Sequence, residues 1–450
     1  MELAYKDWTE MRMGTARKPV VVQGVAIGQG RVIPEINYTL PPVVITRESR
    51  AQVEGQFEEI VRNLLDRATK LVPPGLVLEF EHLPALTQEV DIGVRITEMT
   101  VSQLRRFTES TGIPAALRVT VSDLRDMERP PRMRSGENWD RMCRAFELNG
   151  KAGAGMLSIE STGGKEVHDV ALMEGNVEGI LFSLGVLACR DMHQLWRMIV
   201  EVTGGTGSLA AGDTACGFAN TAMVLADRGY LPQVLAAVDR AMGSARSLVA
   251  YLEGAVGPSK DCAYEGPILK ALLGIPISME GKTAACAHLS HVGNVAAAVC
   301  DLWSNESVQN VQLLSGPAPV AFLEMLVYDC RLFNQAIHAG GDAVLSRWLT
   351  NSDLAGSPQA FVISPEGAHR IAQAMANAED DFQRTRAAGL EACRLLREAK
   401  ERGLLVLEQR EWNWLDRIEE ALSNCDSEEK AIRLGMESYR DLFLPQEYGL

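Results

Sequence analysis

Short apolar runs, each ending in polar or glycine residues and each followed by a stretch with helical spacing, recur through most of the chain. Eight such runs occur, at 76–82, 115–123, 155–161, 179–185, 207–213, 246–254, 275–281 and 311–317. Their starts are separated by roughly 25 to 40 residues, the length of a strand, a crossover helix and two loops. Near-continuous apolar runs are typical of parallel strands buried on both faces. The pattern therefore predicts eight β-α units in an α/β protein, closed into a (β/α)8 TIM barrel.

An open, doubly wound sheet is the alternative arrangement of the same units. Its dinucleotide-binding form carries a GxGxxG motif directly after an early strand, where such a fingerprint cradles a pyrophosphate. No such motif follows an early apolar run in this sequence. The closed barrel is therefore favoured over the open sheet.

The two ends of the chain differ from the repeating middle. Residues 1–65 contain several prolines and then a helical pattern, so we interpret them as an N-terminal extension. The barrel itself is predicted for 66–350. Beyond residue 350 the sequence is charged and helical without a further strand signal, so 351–450 is interpreted as a C-terminal helical appendage.

Charge and cysteine usage narrow the partners and the compartment. The formal net charge is −15 and the pI about 5.1, a balance that repels nucleic-acid phosphates and anionic lipids. No stretch approaches the roughly 20 uncharged apolar residues of a membrane helix, and the acidic N-terminus lacks the apolar core of a secretory signal. The nine cysteines are odd in number and widely spaced, which favours reduced thiols. We therefore expect a cytoplasmic protein that binds neither nucleic acid nor membrane.

Polar side chains follow the predicted strands at the end where a barrel carries its catalytic groups. The third run ends at Glu160, the fifth leads through Asp213 to Cys216, and the sixth leads through Glu253 to Cys262. Two thiolates and one carboxylate are ligands that suit zinc, and three protein ligands leave a fourth tetrahedral position open for substrate. The strand assignment therefore predicts a catalytic zinc at the barrel mouth.

Other interpretations of these residues remain open at this point. Each cysteine is also compatible with a buried core thiol. Cys286 and His288, after the seventh run, are competing ligands or a thiol–imidazole pair. Lys260 or Lys282 is a candidate for a Schiff base of the aldolase type.

One segment has the beginning of a cobalamin-binding motif. The sequence DMHQLW at 191–196 starts like D-x-H-x-x-G, in which the histidine is supplied to cobalt. The glycine position is occupied by Trp196, and the segment lies within a predicted crossover helix. We therefore expect no corrinoid bound by this chain itself.

Several motifs together resemble the methanol:corrinoid protein methyltransferase family. They are PEINY (34–38), LSIES-GGKEV (157–167), AGDT-C--ANTAM (211–223), RSLVAY--GAVGP-KDC-YE (246–265), MEGKT--CAH (279–288), WSNESV (303–308) and the terminal PQEYGL. The resemblance runs from end to end and implies a (β/α)8 barrel with zinc on Glu160, Cys216 and Cys262. It also implies a homodimer within a larger complex, with a separate corrinoid protein docked over the barrel mouth.

The function implied by this resemblance is zinc-dependent transfer of the methyl group of methanol to the cob(I)alamin-type corrinoid of that partner. Asp213 and Glu280 are, by position, the candidates for a proton donor. Ala215, Gly217 and Phe218 differ from the residues expected in archaeal members, which leaves another small methyl donor open. The remaining alternatives are a metal-independent barrel resembling uroporphyrinogen decarboxylase and a scaffold that binds the corrinoid protein without turnover.

Overall fold

A computed structural model of the chain describes residues 1–40, 45, 49–308, 312–313 and 316–450. The strands are β1 (Thr15–Val22), β2 (Val25–Gln29), β3 (Ile33–Thr39), β4 (Leu76–Glu81), β5 (Ala115–Val121), β6 (Met156–Ile159), β7 (Leu209–Ala210), β8 (Ser278–Glu280), β9 (Leu302–Val308), β10 (Gln312–Leu313) and β11 (Gly316–Pro317). Short 3-10 turns lie at Trp8–Glu10, Arg125–Met127, Val295–Ala297 and Pro445–Tyr448, and a π-helical turn at Ser183–Ala188.

The first nine helices, up to the one that precedes the sixth barrel position, are α1 (Arg50–Leu71), α2 (Pro84–Gln88), α3 (Val90–Thr111), α4 (Glu137–Lys151), α5 (Lys165–Glu174), α6 (Val177–Phe182), α7 (Cys189–Thr206), α8 (Cys216–Asp227) and α9 (Gln233–Leu252). The remaining helices are α10 (Gly266–Leu273), α11 (Lys282–Ala287), α12 (Ala318–His338), α13 (Asp342–Leu354), α14 (Pro358–Ile363), α15 (Pro365–Ala376), α16 (Asp381–Glu401), α17 (Gln409–Asn424) and α18 (Glu428–Tyr439). No helix in the described part of the chain is both long and apolar enough to cross a membrane.

Seven parallel strands form one curved sheet in the spatial order β7-β6-β5-β4-β3-β9-β8. The circle is completed between β7 and β8 by residues 256–259. On one side, the backbone N–H groups of Val256 and Gly257 donate to the carbonyl oxygens of Ala210 and Ala211, both at 2.9 Å. On the other side, the backbone N–H of Ser278 donates to the hydroxyl of Ser259 at 3.1 Å. The eight positions confirm the predicted (β/α)8 barrel.

Three of the eight predicted strands are wrong. The run 179–185 is helical, in α6 and the π-helical turn, and the run 246–254 is helical as far as Leu252, the last residue of α9. Residues 179–185 and 246–250 are buried on all sides, and a helix that is buried all round has the same continuous apolar run as a central strand. In the run 311–317, residues 312–313 and 316–317 pair antiparallel outside the barrel, and the other three lie outside the described residues.

Two barrel strands, β3 and β9, were missed because their inward side chains are polar. In β3, Glu35 and Asn37 alternate with Ile36 and Tyr38, and the polar pair contacts other polar groups inside the barrel. Such alternation is not the near-continuous apolar run by which the other strands were found. Strand β3 lies within 1–65, so the barrel sheet starts inside the segment interpreted as an extension. The division of the chain into domains stays a prediction.

The N-terminal hairpin closes the bottom of the barrel. Strands β1 and β2 pair antiparallel around a turn at Gln23 and Gly24, whose φ angles are +47° and +85°. The Gln23 amide accepts from the N–H of Leu117 at 2.8 Å and donates to the carbonyl of Gly153 at 2.9 Å. A small apolar cluster joins the hairpin to the amino ends of the barrel strands: Val22, Val25, Ile27, Ile33, Val77, Ala116, Met156, Ala211 and Leu302. The hairpin leaves the opposite end of the barrel, where the strands finish, uncovered.

The C-terminal helices cover one side of the barrel. Helix α16 packs along α9, and α17 and α18 pack against α6. Every residue of α9 from Val234 to Ala250 is consequently buried. The helical character predicted for the end of the chain is thus observed, and this layer is the cause of the misassigned apolar runs.

Candidate metal centre

The structure brings together Glu160, Cys216 and Cys262 at the carboxyl ends of the strands. Glu160 directly follows β6, Cys216 is the first residue of α8 after β7, and Cys262 follows residues 256–259, which complete the barrel. One ligand atom from each residue lies within 4.8 Å of the other two. The Cys262 sulfur is 2.9 Å from the Cys216 sulfur and 2.9 Å from Oε1 of Glu160. Among the described residues, this is the one group of three histidine, cysteine or carboxylate side chains close enough to share a metal ion.

The donor set fits a tetrahedral zinc ion. At a Zn–S distance of about 2.3 Å, two sulfurs of a tetrahedral site lie about 3.8 Å apart. The observed 2.9 Å exceeds the length of a disulfide bond, about 2.05 Å, so both cysteines are free thiols. A separation of the sulfurs by about 0.9 Å would admit the ion, a movement well within side-chain torsions.

Short local hydrogen bonds hold both cysteine loops. The N–H of Cys216 donates to the Thr214 hydroxyl at 2.9 Å, and the N–H of Cys262 donates to Asp261 at 2.8 Å. A hydrogen bond from Cys262 favours the Cys216 thiolate, but burial and the charge of Glu160 raise the pKa of Cys216 to about 12. Burial likewise raises the pKa of Cys262 well above its usual range. A bound dication is the group that would hold both sulfurs as thiolates.

The last residues of the chain support the loop that carries Glu160. Tyr448 is buried, and its hydroxyl accepts from the N–H of Gly164 at 3.1 Å. Gly164 has φ +82°, and a Cβ there would approach the carbonyl oxygen of Ser183 to 2.9 Å. The terminal PQEYGL motif and the paired glycines of the SIESTGG segment are therefore parts of one contact.

Lys260 is buried beneath the three ligands and is surrounded by carboxylates. Its Nζ lies 3.0 Å from Glu79, 3.1 Å from Glu81 and 3.4 Å from Glu160, and it also contacts Asp261. Burial lowers the pKa of Lys260, but these charges raise it well above its usual range overall. A protonated amine is not a nucleophile, and Lys282 is exposed on α11. Lys260 lines the cavity, but its ammonium is paired with four carboxylates, so the Schiff base considered above is favoured at neither lysine.

A cavity of about 280 Å³ opens from the three ligands toward the barrel mouth. It is lined by Asn37, Glu81, Glu160, Cys216, Gly217, Asn220, Thr221, Lys260, Cys262, Glu280, His288 and Glu306. Gly217 is the one position of the three departures at 215, 217 and 218 that reaches this lining. Phe218 instead packs under the guanidinium of Arg246, 5.0 Å from the ring centroid.

The two candidate proton donors have different surroundings. Glu280 lines the cavity, is 1% exposed, and its Oε2 has no hydrogen-bond partner. Burial and the charges of Asp261 and Glu306 raise the pKa of Glu280 well above its usual range. The raised pKa favours the protonated form of Glu280, whose side chain lines the same cavity as the three ligands.

Asp213 does not line the cavity. Its Oδ1 accepts from the N–H groups of Ser161 at 3.2 Å and Thr214 at 2.8 Å, and its Oδ2 accepts from the Trp196 indole at 3.0 Å. It also forms a buried ion pair with Arg246 at 3.3 Å. The position at the end of the fifth barrel strand is the predicted one, but the side chain turns behind the Cys216 loop. Its contacts make it an anchor of that loop.

Several cavity residues were not found from the sequence. Glu306, on β9, lines the mouth of the cavity. Partial removal from water and the charges of Glu81 and Asp261 raise the pKa of Glu306 to about 7. The motif WSNESV at 303–308 contains Glu306 and coincides with strand β9. Of the competing pair, His288 lines the cavity and burial lowers its pKa, whereas Cys286 is exposed on α11 and does not line it.

The fold and the site together define a (β/α)8 barrel protein with a thiol-rich candidate metal centre at the carboxyl ends of its strands. Residues 1–449 match the model of one family, the methanol-cobalamin methyltransferase B subunit. The chain therefore belongs to this family.

Two relatives are similar over nearly their full length. The chain is 34% identical over 456 residues to the methanol--corrinoid protein co-methyltransferase of Methanosarcina barkeri (strain Fusaro / DSM 804), covering 99% of this chain and 98% of the relative. A chain in the crystal structure of the methanol:cobalamin methyltransferase complex MtaBC from Methanosarcina barkeri superposes with a TM-score of 0.94 at 34% identity. That match covers 100% of this chain and 99% of the other.

Proposed function

We propose that this chain catalyses zinc-dependent transfer of the methyl group of methanol to the cobalt(I) corrinoid of a separate corrinoid protein. The observation that carries the proposal is the group of Glu160, Cys216 and Cys262, which faces an open cavity at the barrel mouth. Family membership and the names of the similar proteins support the same reaction.

Zinc held by these residues would act as a Lewis acid on the alcohol oxygen and so weaken its bond to carbon. The electron pair of that bond leaves with oxygen, and the corrinoid's cobalt(I) supplies the pair for the new bond to the methyl group. One proton is then needed to release water. Glu280 supports this step because its side chain is buried, lines the same cavity and has one oxygen, Oε2, without a hydrogen-bond partner. The barrel walls exclude bulk water and position the alcohol.

The corrinoid protein is the proposed partner, and the cavity mouth is the surface through which its cofactor would reach methanol. A homodimer within a larger complex stays a prediction from the family resemblance. Sedimentation of the purified chain tests whether it forms a dimer. The nine free thiols support a reducing, cytoplasmic compartment.

A different small methyl donor is the second candidate, because Gly217 leaves space at the cavity wall next to Cys216. A panel of methanol, ethanol, methylamine and methoxy-aromatics, tested with added cob(I)alamin, separates the two. Methanol should give the fastest methylation, followed as the cob(I)alamin absorption is replaced by that of methylcobalamin. A faster rate with another donor would replace methanol in the proposal.

The zinc requirement is tested with Cys216→Ala and Cys262→Ala, each of which removes one ligand. Both variants should lose metal and methyl transfer together. A metal-independent barrel would keep its rate in both variants, and a scaffold would show none in the parent chain. Full activity of the zinc-free chain would overturn the proposal.

A further inference from the structure

Glu160 has one cationic neighbour within the described part of the chain, and that neighbour is Lys260. The ammonium lies 3.4 Å from Oε1, the same oxygen that is 2.9 Å from the Cys262 sulfur. Lys260 is only 1% exposed and the Glu160 side chain is 36% exposed, so water reaches this ion pair from the Glu160 side alone. Lys260 precedes Cys262 by two residues in the sequence. One short segment therefore supplies both the ligand Cys262 and the cation that contacts the ligand Glu160.

Three further carboxylates fix the ammonium in this place. Glu79 and Asp261 are fully buried, and Glu81 lines the cavity. Each lies within 3.1 Å of Nζ. The Asp261 carboxylate also accepts from the N–H of Cys262 and, through its other oxygen, from the Asn37 amide at 3.2 Å. The ammonium is thus fixed by carboxylates, and Asp261 among them is fixed by its own hydrogen bonds. The fold therefore sets the distance from Lys260 to Glu160.

The charge balance at the site makes this cation relevant to how strongly a bound metal ion attracts electrons. Two thiolates and one carboxylate carry three negative charges against the two positive charges of zinc, so such an ion is a weak electrophile. A cation at the carboxylate draws electron density from that ligand and offsets part of the donation. Groups that hydrogen-bond to a metal's ligands tune the metal in this way.

We propose that Lys260 is a positioning residue that orients Glu160 toward the metal and keeps the bound ion electrophilic. The inference rests on the proposed zinc function and concerns how strongly the ion activates the alcohol, rather than whether it binds. Lys260→Met removes the charge and nearly keeps the volume, whereas Lys260→Arg keeps the charge.

The test replaces zinc by cobalt(II) and records the thiolate-to-cobalt charge-transfer band, with metal content and methyl transfer measured in parallel. In Lys260→Met the ion should be richer in electrons, so the band moves to shorter wavelength. Metal remains bound, and kcat for methanol falls by about 10- to 100-fold, the range found when partners of metal ligands are removed. Lys260→Arg should restore most of the band position and the rate.

Because Lys260→Met leaves buried carboxylates without their cation, it is paired with Lys260→Met/Glu79→Gln, and Glu79→Gln alone is the reference for that double variant. The band shift does not depend on turnover, so it tests Lys260 even if methanol is not the substrate. The inference would be overturned if Lys260→Met kept the band position and rate of the parent chain and Lys260→Met/Glu79→Gln kept those of Glu79→Gln. Loss of the metal from both would also overturn it, since Lys260 would then only hold the site together.

Discussion

Replacement of Asp213 tests whether this residue anchors the Cys216 loop or donates a proton. The carboxylate accepts from two backbone N–H groups, from the Trp196 indole and from the Arg246 guanidinium, all buried. Asp213→Ala removes the side-chain acceptor of the two N–H groups and the indole, and the carboxylate partner of Arg246. Arg246 keeps the carbonyl of Thr214, the hydroxyl of Ser161 and the Phe218 ring, which moderates the loss.

The magnitude follows from these contacts. Removing one partner of a buried ion pair costs about 3–5 kcal/mol, and the remaining contacts of Arg246 place this case at the lower end. Neutral donors left unsatisfied add about 1–3 kcal/mol, so Asp213→Ala should lose about 5 kcal/mol. At about 2.1 cal/mol/K per residue, a chain of 450 residues has an unfolding entropy near 0.9 kcal/mol/K, so Tm should fall by about 5 °C. Asp213→Asn keeps an acceptor oxygen and should lose about half as much.

The assay is thermal unfolding by calorimetry, with zinc content and methyl transfer measured on the same samples. Glu280→Gln is the matched control, since it removes a carboxyl that has an unpartnered oxygen and lines the cavity. It should leave Tm nearly unchanged and lower methyl transfer by about 10²- to 10⁴-fold, as expected for a lost general acid. The reasoning is refuted if Asp213→Asn keeps its Tm and zinc but loses the reaction, because Asp213 would then be the proton donor.

Two further substitutions test the packing around the site. The Nε2–H of His168 donates to the Asp239 carboxylate at 2.8 Å; burial lowers the pKa of His168, but the charge of Asp239 and hydrogen bonds raise it to about 9. A raised folded-state pKa stabilises the fold fully below the ordinary value near 6.5 and loses that contribution as pH rises through about 9. His168→Gln should therefore flatten the fall of Tm between pH 7 and 10, and an unchanged slope would contradict the assignment. Gly163→Ala would place a Cβ 2.2 Å from the Asp191 carboxylate, so we expect a lower Tm and weaker zinc binding by chelator competition; wild-type values for both would show that the loop yields freely.

The positions of Glu160 and Cys216 were predictable because each follows a strand with a continuous apolar run. Cys262 was placed for a partly wrong reason: the run before it, 246–254, belongs to helix α9, and the barrel position is filled by 256–259. Since Cys262 still follows that position, the structure brings it to the mouth. Chain order around the barrel was thus a stronger guide than the identity of each strand.

The rest could not be predicted, because it depends on what packs where. The interior of β3 and β9 is polar, and Glu35 pairs there with Arg118 at 2.9 Å, an interaction between residues far apart in sequence. Only the fold shows that Asp213 turns toward Arg246 while Glu280 turns into the cavity. The continuous apolar character of α9 reflects the C-terminal helices that cover it, and local periodicity carries no record of such a cover.

The central claim is that two sulfurs and one carboxylate hold a zinc ion with a position open to the alcohol. X-ray absorption at the zinc edge of the purified chain tests it most directly. We expect two sulfur scatterers at about 2.3 Å and two oxygen scatterers near 2.0–2.2 Å, with one sulfur or the whole ion lost in Cys262→Ala. Four sulfur neighbours, or an active chain without zinc, would contradict the account.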